Sequence, residues 1–309
     1  MAAFDASIKR TLPFQDDLKD HREHCSVDPG RLASIGREVG HQVRVKLDGD
    51  QYGLYTVSEV QPEDPDNIVR MGQAGRLRLG TPREFDAVVD AQVPHPTFSE
   101  RKVRDSSEFI ERLADTGQRG LIAIAPHGGG IEPRTDRQAE RVASRLRDMA
   151  VSSWRCKGFK DDGGAFARWH ITSTDLNEAS FPRLSSVFAR GFTYAVAFHG
   201  FDNPELLLTG DILVGGGALP DLKEDLVAEI QGVVGPDLVV RIPAADERFG
   251  GDDARNIVNR LAAPDADGIR SGIQIEQSPD ARSGDRWRAI ADAVAGVYRA
   301  RLRPVPATY

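Results

Sequence analysis

The chain reads as an α/β protein: a mostly parallel central sheet with helices on both faces, preceded by a small β-rich N-terminal module. Three observations lead there. After residue 103, short apolar runs alternate with amphipathic stretches at helical spacing, the texture of a sheet covered by helices. Between about 29 and 93 the apolar residues instead alternate one by one, the period of half-exposed strands. The segment "VPHPTFSERKV" (93–103), with two prolines and few apolar residues, separates the textures. Residues 1–95 are therefore expected to form an N-terminal arm and β-rich module, and 96–309 an α/β domain.

Residues 1–28 are polar without strong periodicity and read as a loosely anchored arm. "HQVRVKL" (41–47), "QYGLYTVSEV" (51–60) and "GRLRLG" (75–80) read as strands, the first two joined by the turn signal "DGD". "SSEFIERLADTG" (106–117) has helical spacing and ends on a glycine suited to a C-cap. "LIAIA" (121–125) is a buried strand, and "RTDRQAERVASRLRDMA" (134–150) the helix after it. Further strands are expected at 168–174, 193–198, 206–210, 237–242 and 271–276, and further helices at 219–233, 253–262 and 283–302. Gly215–Gly217 lack the spacing of a phosphate loop and read as a turn.

Composition narrows the function. At 309 residues and 40% hydrophobic, the chain is long enough for one large domain with an appendage. A net charge of −7 argues against a nucleic-acid partner, although the 40 Lys and Arg leave room for a local basic pocket. Cys25 and Cys156 show no paired spacing, so no disulfide framework is expected. The first residues lack the apolar core of a secretory signal, and no run is long enough to span a membrane. A cytoplasmic, membrane-free protein is the expectation.

Chemistry-bearing residues fall at strand ends, where open α/β sheets place their ligands. His127 follows "LIAIA", and Glu132 comes after three glycines that let the chain turn back. His199 follows "TYAVAF", and Glu276 closes "SGIQIE". Singly, each reads as a turn or packing residue. Together, two histidines and a carboxylate with an open fourth position match a catalytic zinc site, and a further carboxylate could handle protons.

The segments "APHGGGIEPRTDRQA", "WHITSTDL", "VAFHGF", "NIVNRL" and "GIQIEQS", in that order across about 97–300, resemble the phage-type poly-γ-glutamate hydrolase family. The β-rich segment 29–93 lies outside the resemblance. The resemblance implies a zinc carboxypeptidase A-like fold, with zinc held by His127, Glu132 and His199 and with Glu276 as general base. From its place at the start of "HITST", His170 reads as a satisfied core histidine or one that orients a ligand through a hydrogen bond, and Asp175 as a residue that supports His127, lines the cleft or simply makes a turn. A poly-γ-glutamate substrate presents a free α-carboxylate on every residue, which arginine grips with two parallel hydrogen bonds. Asn259 with Arg260, and Arg282, are the expected clamp, ahead of Arg134 and Lys157.

The expected function is zinc-dependent hydrolysis of amide bonds next to a free carboxylate, most simply γ-glutamyl linkages in a polymeric or small substrate. Alternatives are a zinc amidohydrolase of other acylated amino acids or peptidoglycan-type peptides, and a non-catalytic binding protein stabilised by zinc. A fourth protein ligand such as His170 or Asp175 would favour the last.

Overall fold

The computed structural model describes residues 2–49, 51–161, 163–202, 210–245 and 247–304. The chain divides into two compact units, one formed by 1–110 with 158–185, the other by 111–157 with 186–309. The single boundary expected near 95 is thus replaced by a discontinuous division.

The first unit is a closed barrel of β1 (Ala3–Arg10), β2 (His24–Val27), β3 (Gln42–Asp48), β4 (Gln51–Val60), β5 (Ile68–Met71) and β6 (Phe85–Asp90), in the order β1-β5-β2-β4-β3-β6. β1 pairs in parallel with β5 and antiparallel with β6, which closes the ring and removes exposed strand edges. Ile8, Val27, Val45, Tyr55, Val69 and Met71 are among the side chains filling the interior. Residues expected to form a loose arm therefore supply two barrel strands. In β1 the buried partners Phe4, Ala6 and Ile8 alternate with Asp5, Ser7 and Lys9, and the small Ala6 blurs the signal.

Helices α1 (Asp16–Asp20), α2 (Pro29–Ser34), α3 (Gln73–Leu77) and α4 (Glu100–Asp105) also belong to this unit. Two of them correct the sequence reading. "GRLRLG" is helical because Arg76 buries its guanidinium, donating from Nε to the Pro82 carbonyl at 3.0 Å, so the apparent alternation is not a strand face. α4 lies in the expected linker, capped by the Ser99 hydroxyl, which accepts from the Lys102 N–H.

Residues 158–185 belong with the barrel because barrel side chains satisfy their backbone. Gln42 Nε2 donates to the Asp175 carbonyl at 2.7 Å, Arg78 Nη2 to the His170 carbonyl at 3.0 Å, and Glu23 Oε2 accepts from the Thr172 N–H at 2.8 Å. These contacts replace a strand ladder. The expected strand at 168–174 is instead α6 (Ala165–Trp169), which ends at His170, followed by irregular chain.

The second unit is built on a seven-stranded sheet in the order β12-β11-β13-β10-β8-β9-β7. Its strands are β7 (Phe109–Ala114), β8 (Leu121–Gly129), β9 (Ser152–Gly158), β10 (Tyr194–Phe198), β11 (Ile212–Gly215), β12 (Val240–Arg241) and β13 (Gly272–Gln277). β7 replaces the helix expected at 106–117. Its Phe109, Ile110 and Glu111 are all buried, and Trp154 Nε1 donates to Glu111 at 2.7 Å, a packing requirement that overrides local helical spacing. The sheet is mixed: β8, β10 and β13 run parallel, whereas β11 is antiparallel to β13. The strand expected at 206–210 falls almost wholly outside the described residues.

α5 (Thr135–Arg145), α8 (Pro220–Val234) and α10 (Arg286–Arg301) share one apolar core with Ala123, Val196, Ile273 and Ile275 of the sheet. The division between Ser185 and Ser186 falls within the sequence of α7 (Pro182–Phe188). The short α9 (Ile257–Leu261) lies on the opposite face, where a Cβ on Gly272 would stand 2.4 Å from Asn259 Oδ1. Helices thus cover both faces. No helix among the described residues is long and apolar enough to cross a membrane.

Candidate metal centre

The site lies in the second unit, and strand register creates it. Ala197 of β10 is level with Ile124 of β8 and with Gln274 of β13. Two residues on, His199 is therefore level with Glu276, and His127 lies one step beyond on β8. The His199 N–H donates to the Ile275 carbonyl at 2.8 Å, carrying the parallel ladder to the edge of the site.

Glu132 returns to this edge through a tight turn. Its N–H donates to the His127 carbonyl at 2.8 Å, and the Thr135 hydroxyl donates to the Glu132 carbonyl at 2.9 Å. Gly128 permits the turn, since a Cβ there would meet the Cys156 carbonyl oxygen at 2.6 Å and Asp136 at 2.4 Å. Asp136 holds the turn from below, accepting from the Gly129 N–H at 3.3 Å and pairing with buried Lys157 at 3.0 Å.

His127 Nδ1 stands 3.0 Å from Glu132 Oε1 and 3.2 Å from His199 Nδ1, and His199 Nδ1 stands 3.4 Å from Glu132 Oε2. All three side chains are buried. Ligand atoms placed tetrahedrally at about 2.0–2.1 Å from a zinc-sized ion stand about 3.3 Å apart, so the donor set fits such an ion. The Gly200 N–H also donates to Glu132 Oε2 at 3.0 Å, fixing the carboxylate plane. Burial alone would raise the Glu132 carboxyl, but His127 and His199 outweigh it and hold it well below the usual carboxylate range.

Glu276 shares the site and has the opposite character. Burial pushes it up to about 7; the Glu132 charge adds to this, while His199 and Arg282 oppose it. Gln274 Nε2 donates to Glu276 Oε1 at 3.0 Å, and Asn256 Nδ2 donates to Gln274 Oε1 at 2.7 Å, so a buried amide chain orients the carboxyl.

The other expected site residues have structural partners. Asn259 donates from Nδ2 to the Gly251 and Asp253 carbonyls at 2.8 and 2.9 Å and accepts from the Gly217 N–H at 2.9 Å. Its amide holds these loop segments together. Arg282 is buried, donating to the carbonyls of Gln277, Pro133 and Phe201 and to Asp202. It is wedged against Gly200, where a Cβ would sit 2.4 Å from its Cζ. Arg282 thus ties the turns that carry Glu132 and His199 to the end of β13. Arg260 is half-buried, with its guanidinium 4.7 Å from the Phe188 ring centre. Arg134 adopts a left-handed backbone at φ 83° and faces Trp287 at 6.0 Å. His170 and Asp175 belong to the barrel unit, where His170 Nδ1 meets Glu23 at 2.6 Å and Asp175 meets His24 Nε2 at 2.8 Å.

Sequence reading missed Gln138, Gln277, Gln274 and Asn256. Polar residues inside the short buried strand "GIQIEQ" were the available signal, because a buried amide requires a partner.

A sequence model of the poly-gamma-glutamate hydrolase family matches residues 98–284. The chain belongs to the poly-gamma-glutamate hydrolase family. Within curated proteins, this family member is similar to the SPβ prophage-derived UPF0714 protein YoqZ of Bacillus subtilis (strain 168), with 24% identity over 189 residues. That match covers 61% of this chain and 60% of YoqZ, so the chain spans less than two thirds of the relative's length. Among solved structures, it is similar to a bacteriophage poly-gamma-glutamate hydrolase, with a TM-score of 0.49 and 22% identity over 62% of this chain and 89% of that one. It is also similar to a zinc-free apo form of YNDL, with a TM-score of 0.46 and 22% identity over 65% of this chain and 96% of that one.

Proposed function

We propose that this family member is a zinc-dependent hydrolase of amide bonds next to a free carboxylate, acting on the γ-glutamyl linkages of poly-γ-glutamate. The observation that carries the reading is the pairing of a two-histidine, one-carboxylate cluster with a separate buried carboxyl raised to about 7. Two carboxyl groups in one site are driven in opposite directions, which divides ligand from base.

His127, Glu132 and His199 would hold the ion. Bound there, zinc supplies Lewis-acid polarisation of a scissile carbonyl and acidifies water. Glu276 accepts a proton from the attacking water and returns it to the leaving nitrogen. Gln274 and Asn256 keep its carboxyl aimed. Arg260, one helical turn from Asn256 and hydrogen-bonded to it through the backbone, is our candidate for the substrate carboxylate. The residues proposed for chemistry all belong to the second unit.

The test is to incubate metal-loaded protein with poly-γ-glutamate and count new amino termini, with and without chelator. New termini that vanish on chelation and return with zinc are expected. Zinc bound without any cleavage would favour a binding protein, and cleavage indifferent to chelation would exclude the metal mechanism.

A further inference from the structure

We propose a second divalent-metal site, in the barrel unit, formed by Asp17, His21 and His24. It rests on different residues from the hydrolytic site and does not depend on that reading.

Asp17 and His21 are one helical turn apart at α1, with Asp17 Oδ1 and His21 Nδ1 3.0 Å apart. His24 opens β2 and brings its Nδ1 to 2.7 Å from Asp17 Oδ2. The three ligand atoms lie within 4.8 Å of one another, and the His21 and His24 rings stack at 4.6 Å. Backbone bonds from His21 N to the Asp17 carbonyl and from His24 N to the His21 carbonyl fix the loop carrying them. The cluster is therefore held by local chain geometry.

The decisive contact is on the far side of His24. Its Nε2 faces Asp175 Oδ2 at 2.8 Å. A neutral imidazole carries one N–H, yet His24 has a carboxylate at each nitrogen. With the Nε2 proton given to Asp175, the Nδ1 lone pair points at the Asp17 carboxylate, and a cation must sit between them. A proton can do so, but so can a metal, which would displace that proton on binding. A histidine whose outer nitrogen is held by a carboxylate is the usual arrangement for a metal ligand. Two imidazole nitrogens and one carboxylate oxygen suit the zinc class of ions rather than calcium or magnesium. Asp17 and His21 are substantially exposed, at 45% and 58% of their side chains, which leaves an entry path and open positions for water.

The test titrates metal-stripped, untagged full-length protein with Zn²⁺ against a chromophoric competitor. The wild type should bind two equivalents. His21→Ala, at an exposed position that should not disturb folding, should lose one of them. Asp175→Asn removes no ligand and should weaken the same equivalent roughly 10- to 100-fold. His199→Ala should leave that equivalent intact and remove the other, so failure at one site is distinguishable from failure at the other. Wild-type titration curves for both His21→Ala and Asp175→Asn would overturn the proposal.

Discussion

The side-chain amides of Gln138 and Gln277 form a closed pair, each donating to the other at 2.7 and 2.9 Å. Both are fully buried. Gln277 also donates to the His199 carbonyl at 3.1 Å and Gln138 to the Trp287 carbonyl at 3.3 Å. One ring of hydrogen bonds thus links α5, which follows the Glu132 turn, to the strand carrying Glu276 and to the His199 turn. It is placed to set the spacing between Glu132, His199 and Glu276.

Replacing one member, as in Gln277→Met, strands buried donors and acceptors on the other. The loss in stability should be about 2–4 kcal/mol, read by chemical denaturation. Replacing both with Met should recover part of that loss, because neither amide is then left without the other. Zinc affinity should remain weakened in the double variant, because the His199 carbonyl still lacks its donor. Unchanged zinc affinity would show that the pair serves packing alone.

Glu276 makes stability depend on pH. Its folded value, about 7, lies above its ordinary 4.5, so the favourable protonated form persists in the folded protein at pH values where the unfolded chain has lost it. The contribution is fully present below about 4.5 and disappears as pH rises through about 7. Metal-free Glu276→Gln should therefore match the metal-free wild type near pH 5 and melt higher at pH 8. Equal melting temperatures at both pH values would place the carboxyl in an ordinary environment.

The pH dependence of turnover follows from the same group. Glu276 must be ionised to accept a proton, so kcat/KM should rise with pH along an acid limb. A bound cation draws its value down, so the midpoint should fall between about 4.5 and about 7. A flat acid side would remove Glu276 as the base.

Asn259 and Arg260 adjoin in sequence but should behave differently. Asn259→Ala removes three bonds to backbone groups and should mainly destabilise the protein, by about 2–4 kcal/mol. Arg260→Ala should mainly raise KM. An unchanged KM in Arg260→Ala would leave the substrate carboxylate without its proposed partner.

These residues show what sequence can and cannot carry. The grouping of His127, Glu132, His199 and Glu276 was legible because strand ends and a glycine turn are local features, and parallel register puts the three strand ends side by side. Asn259 and Arg282 were equally visible, but their bonds to Gly217, and to Pro133, Phe201 and Asp202, join segments far apart in sequence, which no local pattern reports. The helices at 220–234 and 286–301 matched their apolar spacing, since each buries one stripe against the sheet. The barrel strands were half-hidden by short length and small residues. Residues 158–185 could not be assigned to the barrel, because Gln42, Arg78 and Glu23 reach them across the fold. A chain beginning at Pro94 lacks those three side chains, so it should lose the ordered structure of 158–185, read as early proteolytic cleavage there.

The most direct test of the central claim is turnover of poly-γ-glutamate by Glu276→Gln at confirmed metal content. The substitution keeps shape and the Gln274 contact but removes the proton acceptor. The account predicts zinc occupancy equal to wild type and turnover reduced by at least about 10²-fold, the low end of a positioned acid–base group. Near-normal turnover with full zinc would contradict the mechanism, and loss of zinc would make Glu276 a ligand and reopen the role of Glu132.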